Sequence, residues 1–222
     1  MIKKIKSANR SEWLEKRKQK IGGSDASIIL GINPWKTNVE LFDEKTGKKE
    51  ASDLSDNKAV QFGTKAEEYL RQLFRLEFED KYELQYEDDD DYSMWINDEY
   101  PFAHASLDGI LIDKDTDEKG ILEIKTTNIY SDYDLGKWDN EIPDYYYVQC
   151  LHYLLVMDYD FVILKARIKN RITDEIIVKH YKFYRKQCEK DIQKLIEAEK
   201  NFYQHMLTGK SPNLILPDIW GD

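Results

Sequence analysis

The chain has 222 residues, 41% of them hydrophobic and 34% charged, with a formal net charge of −10, which suits one large domain spanning 1–222 with a substantial core. No run approaches the roughly eighteen apolar residues of a membrane helix, and Met1-Ile-Lys-Lys-Ile-Lys6 lacks the apolar region of a secretory leader, so a cytoplasmic location is expected. The charge argues against a protein that coats nucleic acid with its whole surface, though not against a basic groove on an acidic body, and two cysteines, Cys150 and Cys188, cannot build a disulfide framework or a four-cysteine cluster.

Taken in order, Ser11 to Lys18 is expected to form a helix capped by Ser11 and broken by Ile21-Gly-Gly-Ser24. Ser24 then caps a second short helix, Asp25 to Leu30, closed by Gly31. Glycines, a hydroxyl and free backbone N–H groups before a helix suit a phosphate, with Arg17 near in sequence as a fork donor; a plain helix–loop–helix explains the pattern equally well. Asn33-Pro-Trp-Lys36 reads as a turn, Val39 to Gly47 as a helix, and 48–57 as a polar loop. From Asn57 the spacing of Val60, Phe62, Ala66, Tyr69, Leu70, Leu73, Phe74 and Phe78 predicts a long amphipathic helix. Gly63 permits close approach to a neighbour, and Glu67 could lean towards a site, although a lone helical glutamate is more often solvated.

Strands are expected at Tyr82 to Tyr86, Met94 to Ile96, Phe102 to Ser106, Asp108 to Ile112 and Ile121 to Thr127, the last two joined as a hairpin by the turn formers Lys114 to Gly120. The acidic runs Glu87 to Asp91 and Asp113 to Glu118 read as solvated loops. Ile129 to Asn140 reads as a short helix or loop around Trp138, and Pro143 opens a helix from Asp144 to Met157. Phe161 to Ile168 and Glu175 to Tyr184 read as a second hairpin. A last helix, Lys186 to Leu207, buries a stripe that includes Ile192, Leu195, Ile196, Glu199 and Phe202, and a packed arm runs to Asp222. The order gives an α/β fold, a central mixed sheet flanked by helices: a helical part at 1–80, a core at about 81–185 and a helix with tail at 186–222.

The hairpin carries the chemistry. Successive strand residues point to opposite faces, so Glu123 and Lys125 share one face and Leu122 and Ile124 the other. Asp108 on the partner strand completes a site of two acids and one base. Oxygen ligands without histidine or thiolate suit magnesium, or manganese in its place, and a nearby lysine can position water and stabilise a developing phosphoryl charge. A surface salt bridge is the bland alternative; the apolar interleaving weighs against it, because unpaired buried charge is costly.

Asp108 followed by Glu123-Ile124-Lys125 resembles the PD-(D/E)XK nuclease signature, with Leu107-Asp108 where that family often has Pro-Asp. Three further stretches resemble the phage alkaline exonucleases and YqaJ-like viral recombinases within it: Trp13 to Arg17 with Ile21 to Ala26 and Leu30-Gly31; Phe62-Gly-Thr-Lys-Ala-Glu67; and Tyr145-Tyr-Tyr-Val-Gln149 with Tyr153. The resemblance implies a restriction-endonuclease-like core in which Asp108, Glu123, the Ile124 carbonyl and Glu67 bind magnesium. It implies that Lys125 orients the attacking water, that Gln149 and Tyr146 border the active site, and that Arg17, Ser24 and Ser106 hold a terminal 5′-phosphate. It further implies 5′ to 3′ digestion of one strand of duplex DNA, a ring-shaped homotrimer and a single-strand annealing partner in recombination. Competing readings are a RecB-like or Cas4-like nuclease of other polarity, against which the lack of a four-cysteine cluster counts for the Cas4 type, and a silent acidic interaction protein, against which the intact Asp108, Glu123 and Lys125 count.

Overall fold

The computed structural model describes residues 1–51, 56–86 and 92–216. The acidic run Glu87 to Asp91, part of the loop at 48–57 and the end of the tail lie outside the described residues. The elements are β1 (Ile2–Lys6), α1 (Arg10–Lys18), α2 (Gly23–Ile29), α3 (Asn38–Lys45), α4 (Lys58–Glu77), β2 (Tyr82–Gln85), β3 (Ser93–Asn97), β4 (Gly109–Asp113), β5 (Lys119–Ile129), α5 (Asp132–Gly136), α6 (Asp144–Met157), β6 (Phe161–Asn170), β7 (Ile176–Tyr184) and α7 (Arg185–Thr208).

Five strands form one mixed sheet in the order β2-β4-β5-β6-β7. The pair β4–β5 is the expected antiparallel hairpin, with Gly109 opposite Leu122, and β6–β7 is the second. Between them β5 and β6 run parallel, Glu123 opposite Leu164 and Lys125 opposite Ala166. Parallel neighbours need a crossover, and α6 provides it.

Strand alternation divides the core in two. Leu122, Ile124 and Ile163 face α4, where they meet Leu70 and Phe74. Ile121, Val162, Leu164 and Ala166 face α6 and α7. Helix α6 is buried along its last ten residues, as a sequence apolar on all sides requires. Inside this face His152 Nδ1 lies 2.7 Å from Glu199 Oε1 of α7 and His152 Nε2 lies 2.9 Å from the His104 carbonyl. The stripe predicted for α7 thus holds a buried glutamate because a buried histidine receives it.

Four local expectations are corrected. The cap of α1 is Asn9, whose side chain accepts from the Glu12 N–H, and not Ser11. The cap of α2 is Gly22, so Ser24 lies inside the first turn. Phe102 to Ser106 is not a strand; it is tied by single bridges, Ala103 to Ile21 and Ala105 to Trp95. The N-terminal part is not purely helical, since β1 pairs antiparallel with β3. On α4 only Leu70, Arg71 and Phe74 are buried, while Val60, Phe62, Tyr69 and Leu73 remain exposed. The tail at 211–216 is tied down rather than packed: Asn38 donates to the Asn213 carbonyl and accepts from the Ile215 N–H, while Leu214, Ile215 and Leu216 stay exposed.

Candidate active site

The hairpin brings Asp108, Glu123 and Lys125 together. Asp108 Oδ2 accepts the Ile124 N–H at 2.6 Å, which locks the acid against β5. Glu123 is 2% exposed. Its Oε1 receives Lys125 Nζ at 2.5 Å and Gln149 Nε2 at 2.9 Å, and the same Gln149 nitrogen lies 2.9 Å from the Tyr153 hydroxyl. Both of these partners come from α6, one turn apart. The other oxygen, Glu123 Oε2, is buried and has no hydrogen-bond partner among the described residues.

The electrostatics follow from this packing. Burial raises the Asp108 carboxyl, against the opposing pull of Lys125, the Ile124 N–H and Arg71. Burial, then the charge of Asp108, push Glu123 up to about 8 despite Lys125. Burial opposes the charge on Lys125, but Glu123, Tyr153 and Asp108 outweigh it and hold the ammonium well above its ordinary value. The buried Glu123 and the half-buried Asp108 each disfavour ionisation of the other, and a cation beside them would favour both charges.

Donor chemistry fits a hard divalent cation. Among the described residues no three His, Cys, Asp or Glu side chains gather closely enough to cage an ion, so an ion at Asp108 and Glu123 would draw its other ligands from backbone oxygen and water, as magnesium does. Glu67, predicted as a further acid here, pairs instead with the Arg71 guanidinium, whose Nε also donates to the Asp108 carbonyl at 2.7 Å. Its charge still adds to the upward push on Glu123. Arg71 was not foreseen; its spacing of four from Glu67 on a helix was the available signal.

The remaining predicted residues flank this centre. Tyr146 presents its ring 5.3 Å from Lys125 Nζ and lines, with Trp35, Gly63, Glu67, Ile124 and Lys125, a cleft of about 720 Å³. A Cβ at Gly63 would sit 3.2 Å from Thr126 Oγ1, so the small residue does permit the approach of α4. On the other side Arg17 Nη1 donates to Ser106 Oγ at 2.8 Å, and its guanidinium lies 4.3 Å from the Trp13 ring centre. Ser106 is two residues from Asp108, a span of no more than about 7 Å along an extended chain. Ser24 is exposed at the start of α2. The Gly22 N–H expected for a phosphate is taken by Asp25 at 2.8 Å, and Asp25 in turn pairs with Lys45 at 2.6 Å; neither Asp25 nor Lys45 was anticipated.

Residues 12–160 match the family model of the YqaJ-like viral recombinase domain. The chain belongs to that family. Consistent with this, the YqaJ-like chain is 34% identical over 219 residues to the uncharacterized protein YqaJ of Bacillus subtilis (strain 168), covering 96% of itself and 62% of that relative, so it spans less than two thirds of the relative's length. Among solved structures, an alkaline exonuclease from Laribacter hongkongensis is similar with a TM-score of 0.61 at 16% identity, covering 90% of this chain and 96% of that one. A phage-related exonuclease from Haemophilus somnus has a TM-score of 0.56 at 14% identity, covering 86% and 96%. At such identities the likeness speaks for the YqaJ-like fold, which is thereby restriction-endonuclease-like, as expected.

Proposed function

We propose that this YqaJ-family chain is a magnesium-dependent exonuclease that removes nucleotides from the 5′ end of one strand of linear duplex DNA, with manganese able to replace magnesium. The observation that carries the reading is Glu123: a buried carboxyl group with one oxygen fixed by Lys125 and Gln149 and the other without a hydrogen-bond partner among the described residues, beside Asp108. The names of the solved relatives, both exonucleases, support the reaction class.

In this mechanism Asp108, Glu123 and the Ile124 carbonyl would hold the ion. Bound there, magnesium would supply Lewis-acid polarisation of the scissile phosphate and a water acidic enough to ionise near neutral pH. Lys125, kept protonated by Glu123, donates to the attacking water and steadies charge on the phosphoryl oxygen. Gln149 keeps Glu123 in one rotamer, and Arg71 keeps Glu67 and the Asp108 backbone in place. Arg17 and Ser106, with Ser24 at the rim, receive the terminal 5′-phosphate, which sets the register of cutting. Work as a homotrimer with a single-strand annealing protein in recombination, in the cytoplasm, completes the proposal.

Digestion of one duplex labelled at its 5′ or 3′ end, beside a circular control, tests it. Early release of the 5′ label from linear DNA only, in magnesium and not in EDTA, is expected. No release from any linear duplex with magnesium or manganese removes the enzyme reading, and equal rates on 5′-phosphate and 5′-hydroxyl ends remove the phosphate pocket alone.

A further inference from the structure

A second cleft of about 500 Å³ lies against the first and shares Ala59, Thr126, Thr127, Asn128 and Tyr130 with it. Strand pairing builds it. Arg167 and Lys169 alternate onto one face of β6, opposite Thr126 and Asn128 of β5, and Arg171 follows in the turn. From α4 come Lys58 and Phe62. The cleft is thus lined by four cations, with no aspartate or glutamate lining it among the described residues, on a chain whose net charge is −10. Such a local reversal of sign marks where a polyanion can lie.

Aromatic faces accompany the cations. Phe62 is 48% exposed and Tyr130 67% exposed, and the Arg167 guanidinium stands 5.0 Å from the Phe62 ring centre. Paired bases in a duplex are already stacked and offer a protein only edges and phosphates, whereas unpaired bases stack on exposed rings while cations follow the backbone.

We propose that this cleft is a track for single-stranded DNA, continuous with the cutting centre, with phosphates on Lys58, Arg167 and Arg171 and bases against Phe62 and Tyr130. Lys169 is held by Asp174 at 2.6 Å and contributes less. The proposal rests on the nuclease reading for its role but not for its test, which needs no cleavage.

Fluorescence anisotropy of a labelled twelve-residue oligothymidylate, in EDTA, measures the track directly. Three phosphate contacts on a single strand predict a log–log salt slope of about −2, so binding should weaken about 20-fold between 50 and 200 mM salt. Arg167→Gln/Arg171→Gln should flatten that loss to about threefold, and Phe62→Ala should weaken binding at every salt concentration while leaving the slope unchanged. Melting temperatures near wild type establish that the variants fold. Salt-independent binding, identical binding by the double variant, or equally dependent and equally tight binding of a blunt duplex would each overturn the single-strand track. If digestion fails while oligonucleotide binding behaves as stated, the nuclease reading falls and the track stands.

Discussion

Replacing Glu123 by glutamine keeps its shape and removes its charge, and the structure sets how the result should depend on pH. An unfolded glutamate titrates near 4.5 and the folded one near 8, raised first by burial and then by Asp108. The folded state therefore holds a proton that the unfolded chain releases, so stability is full below about pH 4.5 and falls as pH rises through about 8. At about 1.4 kcal/mol for each pH unit of that gap, the ionised carboxylate costs the metal-free protein up to about 5 kcal/mol at high pH. Glutamine does not pay this. Thermal unfolding of wild type and Glu123→Gln in EDTA should nearly coincide at pH 5 and separate by about 10 °C or more at pH 9, given about 2–4 °C for each kcal/mol in a chain of this size. Magnesium at pH 8 should raise the wild-type melting point and leave the variant unmoved, because the cation offsets the buried charge only where there is one. Digestion should be absent in the variant and rise with pH towards about 8 in wild type. Parallel melting curves for the two proteins across this pH range would refute the assignment of Glu123 as a strained, ligand-seeking acid.

Lys125→Ala should lower the digestion rate by roughly 100- to 1,000-fold, the scale of losing an electrostatic donor at the reacting phosphate, with DNA-end binding retained; a retained rate counts against its role. Arg17→Ala should erase the preference for a 5′-phosphate over a 5′-hydroxyl end by about 10- to 100-fold, the worth of one charged hydrogen bond, measured as the ratio of initial rates. Gly23→Ala places a Cβ 2.5 Å from the Tyr153 ring, so Tyr153 must move away from Gln149; activity should fall further than the melting point, and unchanged kinetics would show the ring to be freely displaced. Glu199→Ala strips the buried partner from His152, whose pKa Glu199 raises against the effect of burial. The stability this pair contributes is present below about pH 6.5 and declines as pH rises through the higher folded value, and the variant should lose about 3–5 kcal/mol at pH 6 in urea unfolding.

The candidate site was legible because it is local. Glu123 and Lys125 sit on β5 and Asp108 immediately precedes β4, in a hairpin whose alternation and turn residues can be read directly, and α6 announces itself by an apolar run opened by Pro143. The less legible features are those decided by distant neighbours. Phe102 to Ser106 has strand composition, yet its backbone is divided between Ile21 and Trp95 and makes no ladder. Strand β1 is short and rich in lysine, and exists because β3 pairs with it. Asn9 and Ser11 are both good caps, and only the fold chooses. Gln149 was placed beside the active site by resemblance, whereas its bond to Glu123 spans 26 residues and appears only once α6 is docked. His152 and Glu199, 47 residues apart on two helices, carry no shared signal in one sequence.

The parallel pairing of β5 with β6 has a kinetic consequence. A hairpin can close in microseconds from neighbours along the chain, and β4–β5 could bring the two acids together early. The connection from β5 to β6 must travel out through α6 and return in a single hand before the strands can zip, and non-local joins of that kind are slow to form. Gln149 and Tyr153 ride on that connection, so the clamp on Glu123 is expected to form only once α6 has docked. Under the proposed exonuclease reading, the recovery of digestion after dilution from urea becomes a clock for the crossover itself.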